Sequence, residues 1–105
     1  MKLLSVVPST RRDKKYMAIF DNGVKTHFGA KGYLDYTLGA TDEQRRLYRI
    51  RHKNDLTTSV RGRDDRVRGR DDRATRAGNL AYHILWGNSR NIRDNILEYK
   101  KMFDV

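Results

Sequence analysis

The sequence contains no cysteine, only one proline and no long hydrophobic run. The missing cysteine excludes disulfide bonds, thiolate nucleophiles and cysteine-type zinc sites. No window approaches the roughly 18 apolar residues that a membrane span needs, so we expect no membrane span. The opening MKLLSVVP is too short an apolar run for a signal peptide, and the basic stretch Arg11–Lys15 prevents its extension. We therefore expect a protein that is not secreted.

Acidic residues are also scarce relative to basic ones. Lysine and arginine number 23 against 13 aspartate and glutamate, which gives a formal charge of +10 and a pI near 10.2. Such a balance is typical of proteins that hold a polyanion, above all nucleic acid. The alternative is that the charge serves only solubility or spacing within an assembly. Hydrophobic residues make up 37% of the 105 residues, which suits one modest core, so we expect a single domain over 1–105.

The first part of the chain has the pattern of a small antiparallel sheet. Leu3–Val7 is apolar, rich in β-branched residues and stopped by Pro8. Lys14–Phe20 alternates as a half-buried strand does. Asp21–Gly23 then supplies the positive φ angles of a tight hairpin turn, so Val24–Phe28 is predicted to return as a strand.

Two helices are predicted after the hairpin. Tyr33–Leu38 can form a short helix that Gly39 ends. Thr41 is followed three residues later by Gln44, which is the pattern of a capping box. This box predicts the start of a helix from Asp42 to about Lys53.

Two further helices are predicted near the C-terminus. Leu80–Trp86 fits a short buried helix closed by Gly87. Ser89 or Asn91 then caps a second helix. Its apolar stripe consists of Ile92, Ile96, Tyr99 and Phe103. The expected fold class is α+β, with a small N-terminal antiparallel sheet (a hairpin plus one strand) packed with three to four short helices.

The helix over Asp42–Lys53 has two different sides. Residues at 100° intervals give a basic stripe of Arg45, Arg49 and Lys53, edged by Arg46 and His52, with Leu47 and Ile50 opposite. The apolar side is predicted to pack on the core. The basic stripe then either contacts phosphates or is a solvated face. Lys31, in the GAKG turn after a strand, is a further candidate phosphate contact, although a plain connecting turn is the alternative.

Residues Val60–Arg73 read VRGRDDR twice in succession. Residues 61–76 contain seven arginines and four aspartates, and few apolar residues are present to anchor the segment. Each copy also contains a glycine, so we predict a flexible insertion over 57–77. Its RGR units make Arg61, Arg63, Arg68 and Arg70 candidates for phosphate contacts. The alternative is an insertion without a function.

No pattern in the sequence indicates a catalytic or metal site. His27, His52 and His83 lie on three different predicted elements, without a carboxylate at a metal or acid–base spacing. The aspartate pairs of the repeat are flanked by arginines, which can satisfy them by ion pairing. We therefore expect no enzyme, no metal and no cofactor. Among the aromatic residues, Tyr33 and Tyr48 are the candidates for partly exposed stacking platforms.

Five segments together resemble a known family: KKYMAIF, KTHFGAKGYLDYT, DEQRRLYRIRHKNDL, AGNLAYHILWG and NIRDNILEYKKMF. The family consists of small, basic, uncharacterised proteins of large nucleocytoplasmic DNA viruses of algae and amoebae. The resemblance spans Lys14–Phe103 apart from the Arg/Asp repeat. It implies a viral protein, located in the virion or in the cytoplasm or nucleus of the infected host cell.

Charge and resemblance lead to two expectations about function. The first is binding of nucleic acid, in the first place DNA, through phosphate contacts with little sequence preference. The alternative is a minor capsid or core protein that binds other virion proteins. An open edge strand or an apolar surface patch favours the alternative, and a continuous basic groove favours nucleic acid.

Overall fold

The computed structural model describes residues 1–58 and 72–105, with side chains described over 1–53 and 73–105. The fold is α+β, as predicted. The elements in chain order are β1 Leu3–Pro8, β2 Lys14–Phe20, β3 Lys25–Ala30, a 3₁₀ turn Tyr36–Leu38, α1 Asp42–Thr58, a 3₁₀ turn Asp72–Thr75, α2 Ala77–Leu80, a π-helical segment Ala81–Leu85, and α3 Ile92–Phe103. Over the described ranges, no helix has the length and apolar character to cross a membrane.

The sheet is antiparallel with the order β1-β2-β3. The predicted bounds of β2 are confirmed, whereas β3 begins one residue later and ends two residues later than predicted. Gly29 therefore lies within β3, at a φ of +84°. A Cβ there would lie 2.8 Å from Leu85 Cδ1. Glycine at this position lets the π-helical segment approach the strand closely.

The core lies between the sheet and the C-terminal helices. The sheet contributes Leu3, Ala18, Phe20 and Phe28, and the helical side contributes Ala74, Leu80, Ile84, Leu85, Tyr99 and Val105. Of the predicted α3 stripe, Tyr99 is fully buried and the other three residues pack against the core. Asn91 caps α3 as predicted, since its side chain accepts from Arg93 N at 2.9 Å. Periodicity thus located the buried side of α3.

The helix predicted over Tyr33–Leu38 is shorter than expected. Only Tyr36–Leu38 is helical, as a 3₁₀ turn, because the Asp35 carboxylate accepts from Thr37 N at 2.9 Å and so sets the start. Gly39 ends the turn, at a φ of +110°, as predicted. The loop that precedes Asp35 is therefore left outside regular structure.

The capping box of α1 is confirmed. Gln44 N donates to Thr41 Oγ1 at 3.0 Å, and Thr41 N donates to Gln44 Oε1 at 2.8 Å. The helix continues to Thr58, beyond the predicted end at Lys53. Most of the predicted flexible insertion, 59–71, lies outside the described residues.

The last part of that predicted insertion has a defined place in the fold. Asp72–Thr75 is a 3₁₀ turn, and Ala74 is fully buried. The Ala74 carbonyl accepts from Tyr99 Oη at 2.8 Å, and the Thr75 carbonyl accepts from Thr26 Oγ1 at 2.7 Å. The expectation that few apolar residues leave the segment unanchored is therefore wrong at Ala74, because partners distant in sequence hold it.

The helix predicted over Leu80–Trp86 begins at Ala77 and widens into a π-helical segment, in which Trp86 N donates to Ala81 O at 3.1 Å. Gly87 ends it as predicted, for a steric reason. A Cβ at Gly87 would overlap the His83 carbonyl oxygen and lie 2.8 Å from Asn95 Cγ. The buried Asn95 amide closes this corner by donating to the carbonyls of Ile84 and Ser89, at 2.8 and 2.7 Å.

Candidate nucleic-acid interface

Helix α1 packs through the opposite side from the one predicted. Leu47 and Ile50 are 43% and 58% exposed, so the prediction that they face the core is wrong. Arg45, Tyr48 and Arg49 are instead half-buried. The sequence wheel separated the two sides of the helix correctly but assigned the wrong one to the interior.

The physical reason is the carbonyl-rich end of the π-helical segment. Arg49 Nη1 donates to Trp86 O at 2.6 Å, and its guanidinium lies 4.2 Å from the centre of the Tyr82 ring. Arg45 Nε donates to Gly87 O at 2.7 Å. The last carbonyls of a helix have no partners within the helix and carry partial negative charge, so cationic donors suit them. Burial lowers the pKa of Arg49 from its ordinary value.

These contacts alter the predicted basic stripe. Arg45 and Arg49 are bound to backbone carbonyls, and Arg46 forms an exposed ion pair with Glu43 at 2.6 Å that lowers the pKa of that carboxylate. Lys53 is exposed. The other predicted contacts are distributed as follows: Lys31 is exposed in its turn, the His52 ring lies 4.2 Å from the Tyr48 ring, and Arg61, Arg63, Arg68 and Arg70 fall outside the described residues. The stripe is not one continuous solvated surface.

A cleft of about 600 Å³ lies beside α1. It is bounded by the start of β2 and the end of β3, by the loop before Asp35, by α1 and by the segment 77–86. Its lining consists of Lys14, Lys15, Phe28, Gly29, Ala30, Tyr33, Leu34, Asp35, Ala40, Gln44, Tyr48, Arg51, His52, Ala77, Gly78, Ala81, Leu85 and Trp86. A volume of this size falls within the range of roughly 300–1,000 Å³ of ligand pockets.

We call Lys14, Lys31 and Arg51, three cations in this cleft or beside it, the rim cations. Lys14 and Arg51 line the cleft itself. Lys31 lines an adjoining depression that shares Tyr33 with the cleft. Among the side chains described, those of residues 1–53 and 73–105, the rim cations take part in no ion pair. Their charge is therefore available to an anionic ligand.

The inner wall of the cleft contains a closed ion pair. Lys15 Nζ lies 2.6 Å from Asp35 Oδ2, and both side chains are almost fully buried. The second Asp35 oxygen accepts from Thr37 N and Thr37 Oγ1. Lys15 also donates to the Tyr33 carbonyl. The inner wall is thus close to electrically neutral, in contrast to the rim.

Aromatic rings form another part of the wall. The Tyr48 and Trp86 rings stack with their centres 4.4 Å apart and their planes 8° apart. Tyr33 is 72% exposed at the mouth. Both tyrosines selected from the sequence therefore line the cleft. Sequence reasoning missed Lys14, Arg51 and Trp86; the signal for Arg51 was its position on the same side of α1 as Tyr48.

His83 contributes little charge to this region. Burial, reinforced by the Arg49 charge, lowers the pKa of His83 from 6.5 to about 4, so the ring is neutral at pH 7. His27 lies elsewhere, with Nδ1 at 2.7 Å from Ser9 Oγ. In the part of the chain that is described, His, Asp and Glu side chains form no group of three suited to a metal ion.

The chain is therefore a small α+β protein with an aromatic cleft rimmed by cations. It is similar to a family of unknown function, DUF5754, over residues 4–52. The match covers the sheet, the 3₁₀ turn and α1 up to His52, just under half of the chain, and it includes all three rim cations. No curated protein and no solved structure matches the chain. The resemblance to proteins of large DNA viruses stays a prediction.

Proposed function

We propose that the protein binds nucleic acid at the cleft, through phosphate contacts that carry little sequence preference. The observation that supports this most directly is the set of rim cations, Lys14, Lys31 and Arg51, beside the exposed Tyr33 ring. Cations attract the phosphates regardless of sequence, and an exposed aromatic ring offers a stacking surface to any base. The formal charge of +10 adds long-range attraction.

This proposal moves the binding surface from the place that the sequence indicated. We assign Arg45 and Arg49 a structural role, because their guanidinium groups donate hydrogen bonds to backbone carbonyls. Lys31 and Lys53 keep their exposed side chains, and Lys31 joins the proposed surface. The arginines of the repeat remain sequence predictions, as additional contacts to the same polyanion.

The test is a binding titration of labelled oligonucleotides, followed by fluorescence anisotropy from about 50 to 200 mM salt. Replacing the rim cations together (Lys14→Gln, Lys31→Gln, Arg51→Gln) should weaken binding and reduce the log–log salt slope by about 2 for a single strand. The matched control is Lys2→Gln, Lys25→Gln, Lys101→Gln. It removes the same charge from the hairpin end of the sheet and from α3. None of these three lysines lines the cleft.

Two results would count against the proposal. Equal effects of the rim triple and the control triple would mean that net charge, and not the cleft, attracts the polyanion. No binding at low salt would refute the proposal that the protein binds nucleic acid.

A second candidate is the virion structural role, in which the protein binds other viral chains. The observation in its favour is the exposure of Leu47 and Ile50 on the outer side of α1. A protein that binds no nucleic acid, and whose association with a partner is lost on Leu47→Ser with Ile50→Ser, would favour this candidate.

A further inference from the structure

We propose that the cleft seats one unpaired nucleobase, so that the protein prefers single-stranded nucleic acid to duplex. This inference rests on the proposed function and specifies which form of nucleic acid the site accepts. It is carried by the separation of charge and aromatic surface within the cleft.

The charges around the cleft divide into two zones. Of the rim cations, Lys14 and Arg51 line the cleft and Lys31 lines the adjoining depression. Lys31 and Arg51 are exposed, unlike the Lys15–Asp35 pair. The inner wall is neutral, because the Asp35 carboxylate is paired with Lys15 at 2.6 Å. A phosphate gains most at the rim, whereas an uncharged base suits the inner wall. One nucleotide has this polarity, with a charged phosphate at one end and a neutral ring at the other.

The shape of the wall suits a planar ring. Ala81 gives apolar surface, with the buried Phe28 and Leu85 side chains beneath it. Tyr48 is itself packed against both Trp86 and His52, so the ring that we assign to the aromatic wall is Trp86. Base–aromatic stacking tolerates any sequence, because every base has a π-face. Within a duplex, both faces of each base are covered by its neighbours in the stack. Entry into the cleft therefore requires a base that is unpaired and unstacked.

A polar side chain is also present for the edge of the base. Gln44 lines the cleft, and its Oε1 is occupied by Thr41 N in the capping box. Among the described residues, its Nε2 has no acceptor. This amide group can donate to a base carbonyl or ring nitrogen without disturbing the cap.

The chain carries its own reporter for this site, since Trp86 is the single tryptophan. A base that enters the cleft changes the surroundings of the Trp86 ring. The measurement is Trp86 emission during titration with four probes: a single-stranded oligonucleotide, the duplex of the same sequence, an abasic oligonucleotide of the same length, and polyphosphate. The single strand should quench Trp86 and bind roughly 5- to 100-fold more tightly than the abasic strand.

Gly78 permits a variant that blocks the cleft without removing a charge. It lines the cleft, and a Cβ placed on it meets no atom within 4 Å. Gly78→Leu should therefore fill the cleft and lower single-strand affinity to the abasic level, with the far-UV circular dichroism spectrum unchanged. Gly78→Ala, which leaves most of the volume open, is the matched control and should retain both affinity and quenching.

The outcomes separate this inference from the function on which it rests. Equal affinity for single strand, duplex, abasic strand and polyphosphate, with no effect of Gly78→Leu, overturns base seating and leaves phosphate binding intact. Binding of none of the four probes at low salt overturns both.

Discussion

Arg49 and Ile50 are neighbouring residues of α1. The sequence and the structure lead to opposite predictions of which of them can be replaced without destabilising the fold. On the sequence wheel, Ile50 belongs to the core and Arg49 to solvent. In the structure, Ile50 is 58% exposed, whereas Arg49 donates to Trp86 O at 2.6 Å and covers the Tyr82 ring. We predict that Arg49→Met destabilises the fold and that Ile50→Ser does not.

The magnitudes can be worked out from these contacts. A hydrogen bond from a charged donor contributes about 1.5–3 kcal/mol, and a cation–π contact about 0.5–2 kcal/mol. Removing the guanidinium also removes the cost of its partial desolvation, which offsets part of the lost stabilisation. The net loss in the free energy of unfolding for Arg49→Met is then about 2 kcal/mol. Methionine and arginine have similar helix propensities, as do isoleucine and serine, so propensity changes little in either variant. Ile50→Ser should stay within about 0.5 kcal/mol of the parent.

Urea unfolding gives both values, from the midpoint and the slope. For a chain of this size, the Arg49→Met loss corresponds to a fall in Tm of about 8 °C. Arg49→Lys, which keeps the charge but not the fork of donors, should fall between the parent and Arg49→Met. A stable Arg49→Met together with an Ile50→Ser variant that loses about 2 kcal/mol or more would refute the orientation of α1.

Three other predictions concern the polar groups of the interior. Asp35→Asn keeps the cap but leaves the Lys15 charge buried without a counter-charge. The free energy of unfolding, measured in urea, should therefore fall by about 3 kcal/mol. Adding Lys15→Met should restore part of the lost stability. The neutral His83 ring, with a pKa of about 4 against an ordinary 6.5, contributes stability that is complete above pH 6.5 and lost as the pH falls toward 4. The parent should therefore lose about 2 kcal/mol more than His83→Met between pH 7 and pH 4, and identical pH profiles would contradict this. Gly87→Ala forces a Cβ against a backbone carbonyl and the Asn95 amide, so thermal unfolding should show a loss of about 1–3 kcal/mol; an unchanged Tm would mean that the corner relaxes freely.

Local patterns in the sequence predicted local features of the fold. The hairpin glycine, the Thr41 capping box, the Gly39 stop and the α3 stripe each depend on residues a few positions apart, and the structure confirms all four. The α+β class is built from these elements. What they share is that each is decided within a single turn or element, by backbone conformation, by a local side-chain cap or by the side-chain period.

The orientation of α1 could not be predicted in this way. It depends on carbonyl groups at Trp86 and Gly87, some 40 positions further along the chain, which are available because a helix ends there. An amphipathicity argument counts apolar area and ignores such distant acceptors, so it placed Leu47 and Ile50 inside. The place of Ala74 depends in the same way on Tyr99.

The candidate site was predicted only in part. Tyr33, Tyr48 and Lys31 were selected for their residue types, and all three lie at the cleft or in the depression beside it. Lys14 and Arg51 were missed, because only the folded chain brings the start of β2 next to the middle of α1. The predicted contacts Arg45 and Arg49 have side chains of suitable chemistry, but the fold uses them internally.

The most direct test of the central claim is photo-crosslinking of a bromodeoxyuridine-substituted single strand to the protein, followed by peptide mass spectrometry. Binding at the cleft predicts adducts on Tyr33, Tyr48 or Trp86, lost when the rim cations are replaced. Adducts confined to α3 or to the Arg/Asp repeat, with none on the three cleft aromatics, would contradict the assignment of the nucleic-acid site to this cleft.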